Sequence, residues 1–266
     1  MKRIKKFIKK IVPKKYHRKI SGIYNYLRSL YFFGFKYKCN FCNGHFRKLL
    51  PTGSKNDIAL SLIGGGYRYS LCPRCHSSDR ERLVYWYIAN KTNILHSQKI
   101  IKLLHIAPEK NLQKVLRAST KIKYINGDLN PLVADRKIDI IDINFGDNYF
   151  DFIICNHVLE HIKNDRKAMS QLFRVLKPEG FAILQVPIAK NAKETFEDFS
   201  ITSPEEREKY FGQKDHVRIY GRDYKGRLES VGFKVELYDI KKDLSIKAIK
   251  KYGLNEEEIL YIGKKW

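Results

Sequence analysis

The chain has 266 residues, 43% hydrophobic and 13% aromatic, which is enough for one full α/β domain with a small appendage. Its 52 lysines and arginines against 28 acids give a formal charge of +24, and residues 1–56 hold 16 of those bases with no acid. Such a basic arm favours an anionic partner: nucleic acid, a membrane surface or an anionic glycan. No apolar run approaches the roughly 20 residues that span a bilayer. Lys2 and Arg3 open the chain like a signal peptide, but Lys5, Lys6, Lys9 and Lys10 interrupt the apolar stretch such a peptide needs.

Residues 1–34 read as a basic arm of two amphipathic helices separated by Pro13. Ile4, Phe7, Ile8, Ile11 and Val12 form one stripe opposite lysines. Ile20, Ile23, Tyr24, Leu27, Leu30 and Tyr31 repeat the helical pattern in the second. The purely cationic polar face of the first helix is that of an interfacial helix, so an anionic membrane surface is the partner expected for this arm. The second helix fits equally well packed on its own protein.

Residues 35–77 read as a zinc ribbon. Cys39-x2-Cys42 and Cys72-x2-Cys75 are two knuckles, each a tight turn that aims two thiolates at one ion, and together they complete a tetrahedron. A four-sulfur site leaves no open position, so the zinc is expected to be structural and His45 and His76 to be bystanders. Four paired cysteines of five fit a reducing compartment better than a disulfide framework, which points to the cytoplasm, with peripheral attachment to the inner membrane face.

Residues 78–266 make the main domain with its leading helix. Ser78 and Glu81 form an S-x-x-E capping box before the stripe of Leu83, Val84, Tyr87 and Ile88. Strands are predicted at 101–106, 122–126, 137–141, 151–155, 181–187, 234–239 and 258–263, with helices at 109–118, 164–176, 204–211 and 221–231. This alternation predicts a doubly wound, mostly parallel seven-stranded Rossmann-like sheet, its last two strands pairing antiparallel at one edge.

Polar residues stand at the carboxyl ends of these strands, where open α/β sheets bind ligands. Asp128 follows the second strand, Asp142 the third, and Asn156 and His157 the fourth. The run DINFGDNYFDFIICNHVLEHIKNDRKAMSQLFRVLKPEGFAILQVP, from Asp142 to Pro187, resembles the class I S-adenosylmethionine-dependent methyltransferases, and the resemblance extends over roughly residues 100–240. It implies that Asp128 accepts the ribose hydroxyls of S-adenosylmethionine and Asp142 the adenine amino group, with Ile143 and Phe145 against the ring. The first strand departs from the family: His105 stands where an acid is usual, and Ala107 and Glu109 where glycines are. The H-x-A-P-E reading resembles a subgroup of methyltransferases with a zinc ribbon, and it places His105, Ala107 and Glu109 beside the cofactor.

Methyl transfer needs an aligned acceptor and, for an oxygen acceptor, a base. His157 and His216 are the candidates, His216 within FGQKDHVRIYGRD, where Asp215, Arg218, Tyr220 and Asp223 are expected to line an acceptor pocket. Three functions fit. The leading one is methylation of a glycan or lipid-linked sugar at the inner membrane face. The second is an RNA methyltransferase whose ribbon and arm hold phosphates. The third is a non-catalytic zinc-dependent binding protein with a relict methyltransferase fold.

Overall fold

The computed structural model describes residues 17–266. The first amphipathic helix expected of the arm lies outside the described residues. The second is α1 (His17–Tyr31), followed by β1 (Phe33–Lys38), β2 (His45–Phe46), β3 (Leu50–Thr52), α2 (Asp57–Ser61) and β4 (Arg68–Leu71). β1 pairs with β2 and β3 with β4, both antiparallel, making two small hairpins that carry the cysteines.

The main domain runs through α3 (Asp79–Lys91), β5 (Ile101–Ile106), α4 (Lys110–Ala118), β6 (Ile122–Asp128), β7 (Arg136–Lys137), β8 (Phe150–Asn156), α5 (Asp165–Val175) and β9 (Leu176–Gln185). β10 (Phe196–Glu197), α6 (Pro204–Phe211), β11 (Arg218–Ile219), α7 (Tyr224–Glu229), β12 (Lys234–Asp239), α8 (Ile246–Tyr252) and β13 (Ile259–Lys264) complete it. The seven-stranded sheet has the order β12-β13-β9-β8-β5-β6-β7. β5 to β9 are parallel, and β13 inserts antiparallel between β9 and β12. The strand order therefore reverses at β5 and β8, the position where such sheets open a crevice at their carboxyl ends.

Continuous apolar strands fit this architecture because both faces are covered. Successive residues point to opposite layers: Ile153 and Cys155 of β8 join Met169, Leu172 and Leu228 on one side. Phe152 and Ile154 join Leu83, Leu112, Leu116 and Ile249 on the other. Helix boundaries follow their caps. The Ser78 hydroxyl accepts the Glu81 N–H at 3.1 Å, Ser203 caps α6 with Pro204 in its first turn, and left-handed Gly212 ends it.

The third strand corrects the sequence reading. It was expected over 137–141, but β7 ends at Lys137, and the Asp139 carboxylate accepts the Ile141 N–H at 3.1 Å, bending the chain into a turn. Between β12 and β13, where the sequence pattern predicts no helix, α8 is a helix capped by Ser245 and Gly253.

The cysteine hairpins are fastened to the domain by buried polar contacts. Arg82 of α3, 1% exposed, donates to the carbonyls of Ser70, Ser77, Tyr252 and Gly253 at 2.8, 2.5, 2.9 and 2.6 Å. Arg68 makes a two-pronged ion pair with Asp79 at 2.6 and 2.9 Å. Helix α1 joins them through Arg28, whose Nε donates to the Pro73 carbonyl at 2.7 Å. The apolar stripe of α1 does not pack on the domain: Ile23, Leu27, Leu30 and Tyr31 are 55–69% exposed.

Candidate active site and cysteine centre

Where the strand order reverses, a cavity of about 460 Å³ is lined by Ile106 and Ala107 after β5, Asp128 and Leu129 after β6, Ile138 and Ile140 after β7, and His157, Val158, His161, Ile162 and Asp215. A second, of about 300 Å³, shares Ala107 and His157 with it and adds Ser78, Arg80, Glu109, Asn156 and Gln185. A third, of about 650 Å³, runs from Ser78 and Arg80 between Gly64–Gly66 and the Gly212–Asp215 loop. The three make a cleft with a passage to the surface between the hairpins and α6.

Two left-handed residues shape its floor. Ala107 has φ +48° and His157 φ +56°. A non-glycine residue here costs about 1–2 kcal/mol, and both sites are held by neighbouring strands: Ala107 N–H donates to the Gly127 carbonyl at 2.9 Å and His157 N–H to that of Gln185 at 2.7 Å. Ala107 thus makes the sharp turn that follows β5.

Beneath that turn lies a buried polar chain. The His105 ring, 0% exposed, bonds the Tyr124 hydroxyl through Nδ1 at 2.9 Å and Glu109 Oε2 through Nε2 at 2.5 Å. Glu109 Oε1 accepts from Asn156 Nδ2 at 3.0 Å. Burial alone would raise the Glu109 pKa, but the His105 ring and Asn156 hold it below the usual carboxylate range. Asn156 Oδ1 and His157 Nε2 are buried without a hydrogen-bond partner. Orphaned atoms of this kind at the mouth of a cleft call for a polar ligand.

His157 has a defined tautomer. Arg80 Nη1 lies 3.1 Å from its Nδ1. Arginine can only donate, so Nδ1 accepts and the ring proton sits on Nε2. Burial and the Arg80 charge push the His157 pKa well below the ordinary imidazole value. His157 therefore presents a neutral N–H to the cleft, as a hydrogen-bond donor and not as the base expected from its position.

Several expected site residues lie elsewhere. His105 supports the turn from below and does not line the cleft. Asp142 is exposed and outside its lining, because the early end of β7 puts Ile138 and Ile140 there instead. Ile143 is 1% exposed in the core, its N–H donating to Gln171 Oε1 at 3.2 Å. His216 is 1% exposed, T-stacked on His161 at 4.7 Å between ring centroids, and burial with the neighbouring His161 lowers its pKa to about 4. Of Asp215, Arg218, Tyr220 and Asp223 only Asp215 lines the cleft. Arg218 and Tyr220 are buried in bonds to Glu197 and Asp165, and Asp223 accepts from Thr195. Arg80 and Gln185 also line the cleft, and no local sequence signal marks them.

The four cysteines converge. Cys39 and Cys75 Sγ lie 3.6 Å apart and Cys42 and Cys72 Sγ 3.7 Å apart, with Cys39 and Cys72 buried. Asn43 and His76 adopt positive φ to close the two knuckles, and the Cys75 N–H points to Cys72 Sγ at 3.5 Å. His76 is engaged by Arg28 instead of the sulfurs.

Residues 53–238 match the model of a family described as a methyltransferase domain. The chain belongs to this family. The match begins inside the hairpin module, and the methyltransferase fold accounts for the strand order and for a cleft at the end of β5, β6 and β8. A protein of Methanocaldococcus jannaschii described as uncharacterized is 38% identical over 87 residues, 29% of this chain and 38% of that one, so the methyltransferase spans little more than a third of this relative's length. Solved structures of similar fold include an S-adenosylmethionine-dependent methyltransferase from Archaeoglobus fulgidus, 16% identical over 71% of this chain and 95% of that one, with a TM-score of 0.44. Another is phosphoethanolamine N-methyltransferase 2 of Haemonchus contortus, 13% identical over 68% and 52%, with a TM-score of 0.45.

Proposed function

We propose that this methyltransferase binds S-adenosylmethionine in the cleft between Ala107, Asp128 and His157 and methylates a glycan or lipid-linked sugar at an anionic membrane face. The observation that carries the cofactor assignment is the pair of orphaned atoms, Asn156 Oδ1 and His157 Nε2, opposite the Asp128 carboxylate in one cleft. Asp128 would take the ribose hydroxyls, its Oδ1 already oriented by the Asn130 N–H at 2.8 Å. Ile138 and Ile140 would cover the adenine. Ala107 lets the backbone approach, and Asn156 and His157 would hold the amino-acid end. When bound, the sulfonium supplies an already activated methyl group, so these residues chiefly position the donor and exclude water.

The membrane assignment is supported by the bare stripe of α1, continued by Phe33 and Phe35 at 57% and 75% exposure, following a sequence rich in lysine. Among the described residues no helix is long and apolar enough to cross a membrane. One observation favours RNA instead: a cavity of about 1,000 Å³ beside the hairpins is lined by Lys36, Lys247, Lys250 and Lys251 with Phe35 and Tyr69, combining charge with stacking surface. Zinc on Cys39, Cys42, Cys72 and Cys75 would fix the hairpins that wall this cavity.

An acceptor screen with labelled methyl donor over glycan, lipid and RNA extracts tests the assignment, alongside calorimetry of Asp128→Ala. Loss of one charge-assisted hydrogen-bonding group should weaken donor binding roughly tenfold to a hundredfold. Unchanged affinity would remove Asp128 from the site, and no binding by the unaltered protein would leave the relict-fold reading.

A further inference from the structure

We propose that Glu160, His161 and His216 form a second metal site, for a divalent transition ion, on the acceptor side of the cleft. One ligand-bearing atom from each of the three lies within 4.8 Å of the others. The bonds around the two imidazoles leave one acceptor nitrogen on each. His161 Nδ1 lies 3.2 Å from the Asp215 carbonyl and 3.3 Å from its carboxylate, both of which only accept, so Nδ1 carries the proton and Nε2 the lone pair. His216 Nδ1 faces the Phe211 carbonyl at 3.2 Å, which fixes the same tautomer. Glu160, 2% exposed, has an Oε2 buried with no partner. Two imidazole lone pairs and an orphaned carboxylate oxygen are a set that a cation satisfies. An imidazole whose other nitrogen donates to a carboxylate or a backbone carbonyl is also the usual arrangement of a metal-bound histidine.

The site is built from two segments tied together. Arg218, in β11, donates to the carbonyls of Leu159, Ile162 and Lys163 around the turn carrying Glu160 and His161. Val217 N–H donates to the Glu160 carbonyl at 3.0 Å, which brings His216 alongside. Nitrogen and carboxylate ligands in this number suit zinc, cobalt, iron or manganese, and three protein ligands leave a coordination position open. His161 lines the cavity beside Asp128, and Asp215 lines both that cavity and the passage, so a coordination position open on that side would meet an acceptor in the cleft. Resting on the methyltransferase reading, this favours an acceptor that presents an oxygen to the metal, which would orient it and ease loss of its proton.

The test is a titration of metal-stripped full-length protein with cobalt(II), read by absorption, with calorimetry of S-adenosylmethionine on the same samples. Two equivalents are expected, one showing thiolate-to-cobalt charge transfer from the cysteines and one showing ligand-field bands without it. Glu160→Gln, which keeps the shape of the side chain, and His161→Asn, at a part-exposed position, should each abolish only the second. Asp215→Asn should weaken it roughly tenfold to a hundredfold. Donor binding should survive in Glu160→Gln, whose side chain lines none of the cleft, and its loss from the unaltered protein would count against the methyltransferase reading and not against the metal. A single equivalent held by thiolates alone, or a second that persists in both Glu160→Gln and His161→Asn, would overturn the proposal.

Discussion

His105 Nε2 and Glu109 Oε2 lie 2.5 Å apart beneath the turn of Ala107, and Glu109 carries that contact on to Asn156 at the end of the neighbouring strand. A glycine turn needs no such brace. Here a left-handed alanine is held in place by a histidine-carboxylate strut spanning the ends of β5 and β8. Glu109→Ala would leave His105 and Asn156 without their shared partner, at a cost of about 1–3 kcal/mol. The variant should show a lower melting temperature together with weaker donor binding. Because the Glu109 pKa is depressed in the fold, its contribution is present above the ordinary carboxylate value of 4.5 and lost as the pH falls below it. Glu109→Gln should flatten that acid limb, which urea unfolding across pH 3–6 would show.

Glu258 behaves in the opposite sense. It is 3% exposed, its Oε2 has no partner, and burial raises its pKa to about 7 from an ordinary 4.5. Between those values the folded protein holds a proton that the unfolded chain has released, so stability should fall as the pH rises from about 4.5 through about 7. Glu258→Gln should remove the slope and be the more stable form above pH 7, by up to roughly 3 kcal/mol. Parallel denaturation curves at pH 5 and pH 8 check this, and an equal effect at both would contradict it.

The cysteine hairpins should depend on zinc for their local fold. Binding free energy in small zinc modules is also folding free energy, and the cluster around Cys39, Phe46 and Cys72 is small. Cys72→Ser, or chelation, should release one zinc and open residues 36–76 to protease while the sheet domain after residue 100 resists. The contacts of Arg82 with Ser70, Ser77, Tyr252 and Gly253 add that α8, which packs beside β1, should loosen in the same experiment. Purified protein lacking stoichiometric zinc would refute the assignment.

The sheet was legible in the sequence because its strands are apolar runs bounded by turn residues, and six of the seven expected strands stand within a few residues of their places. The exception is the third, at the sheet edge, where a short pairing and the Asp139 turn outweighed the apolar pattern of Ile138, Ile140 and Ile141. The same turn misplaced Asp142 and Ile143, since a residue after a strand faces the cleft only if the strand reaches that far. Asp128, Ala107, Glu109, Asn156 and His157 line the cleft because they stand at or after the ends of strands that do reach it. His105 and His216 were recognised as unusual residues, but sequence does not say whether an imidazole faces a cleft or lies beneath it. Arg80 and Gln185 meet the cleft through packing between distant segments, for which no local pattern exists.

The arm separates the two acceptor readings. Ile23, Leu27 and Leu30 project from α1 without a counterpart on the domain, and the sequence before it carries Phe7 and Ile8 between lysines. If these residues enter an anionic bilayer, each nearby lysine or arginine adds about 1 kcal/mol of attraction, and the apolar stripe adds burial of the order of 25 cal/mol per Å². Leu27→Ser with Leu30→Ser leaves the charge unchanged, and both positions are exposed, so folding should be spared. The double variant should sediment less with vesicles containing anionic lipid, and adding Phe7→Ser with Ile8→Ser should release it further. RNA binding would respond differently: it follows the number of lysines, falls steeply with salt, and is nearly indifferent to Leu27 and Leu30. Vesicle co-sedimentation of these variants beside RNA titrations at two salt concentrations therefore decides the partner. Salt-sensitive RNA binding without vesicle association would move the acceptor from the membrane to RNA and assign the basic cavity at Lys247, Lys250 and Lys251 to its backbone.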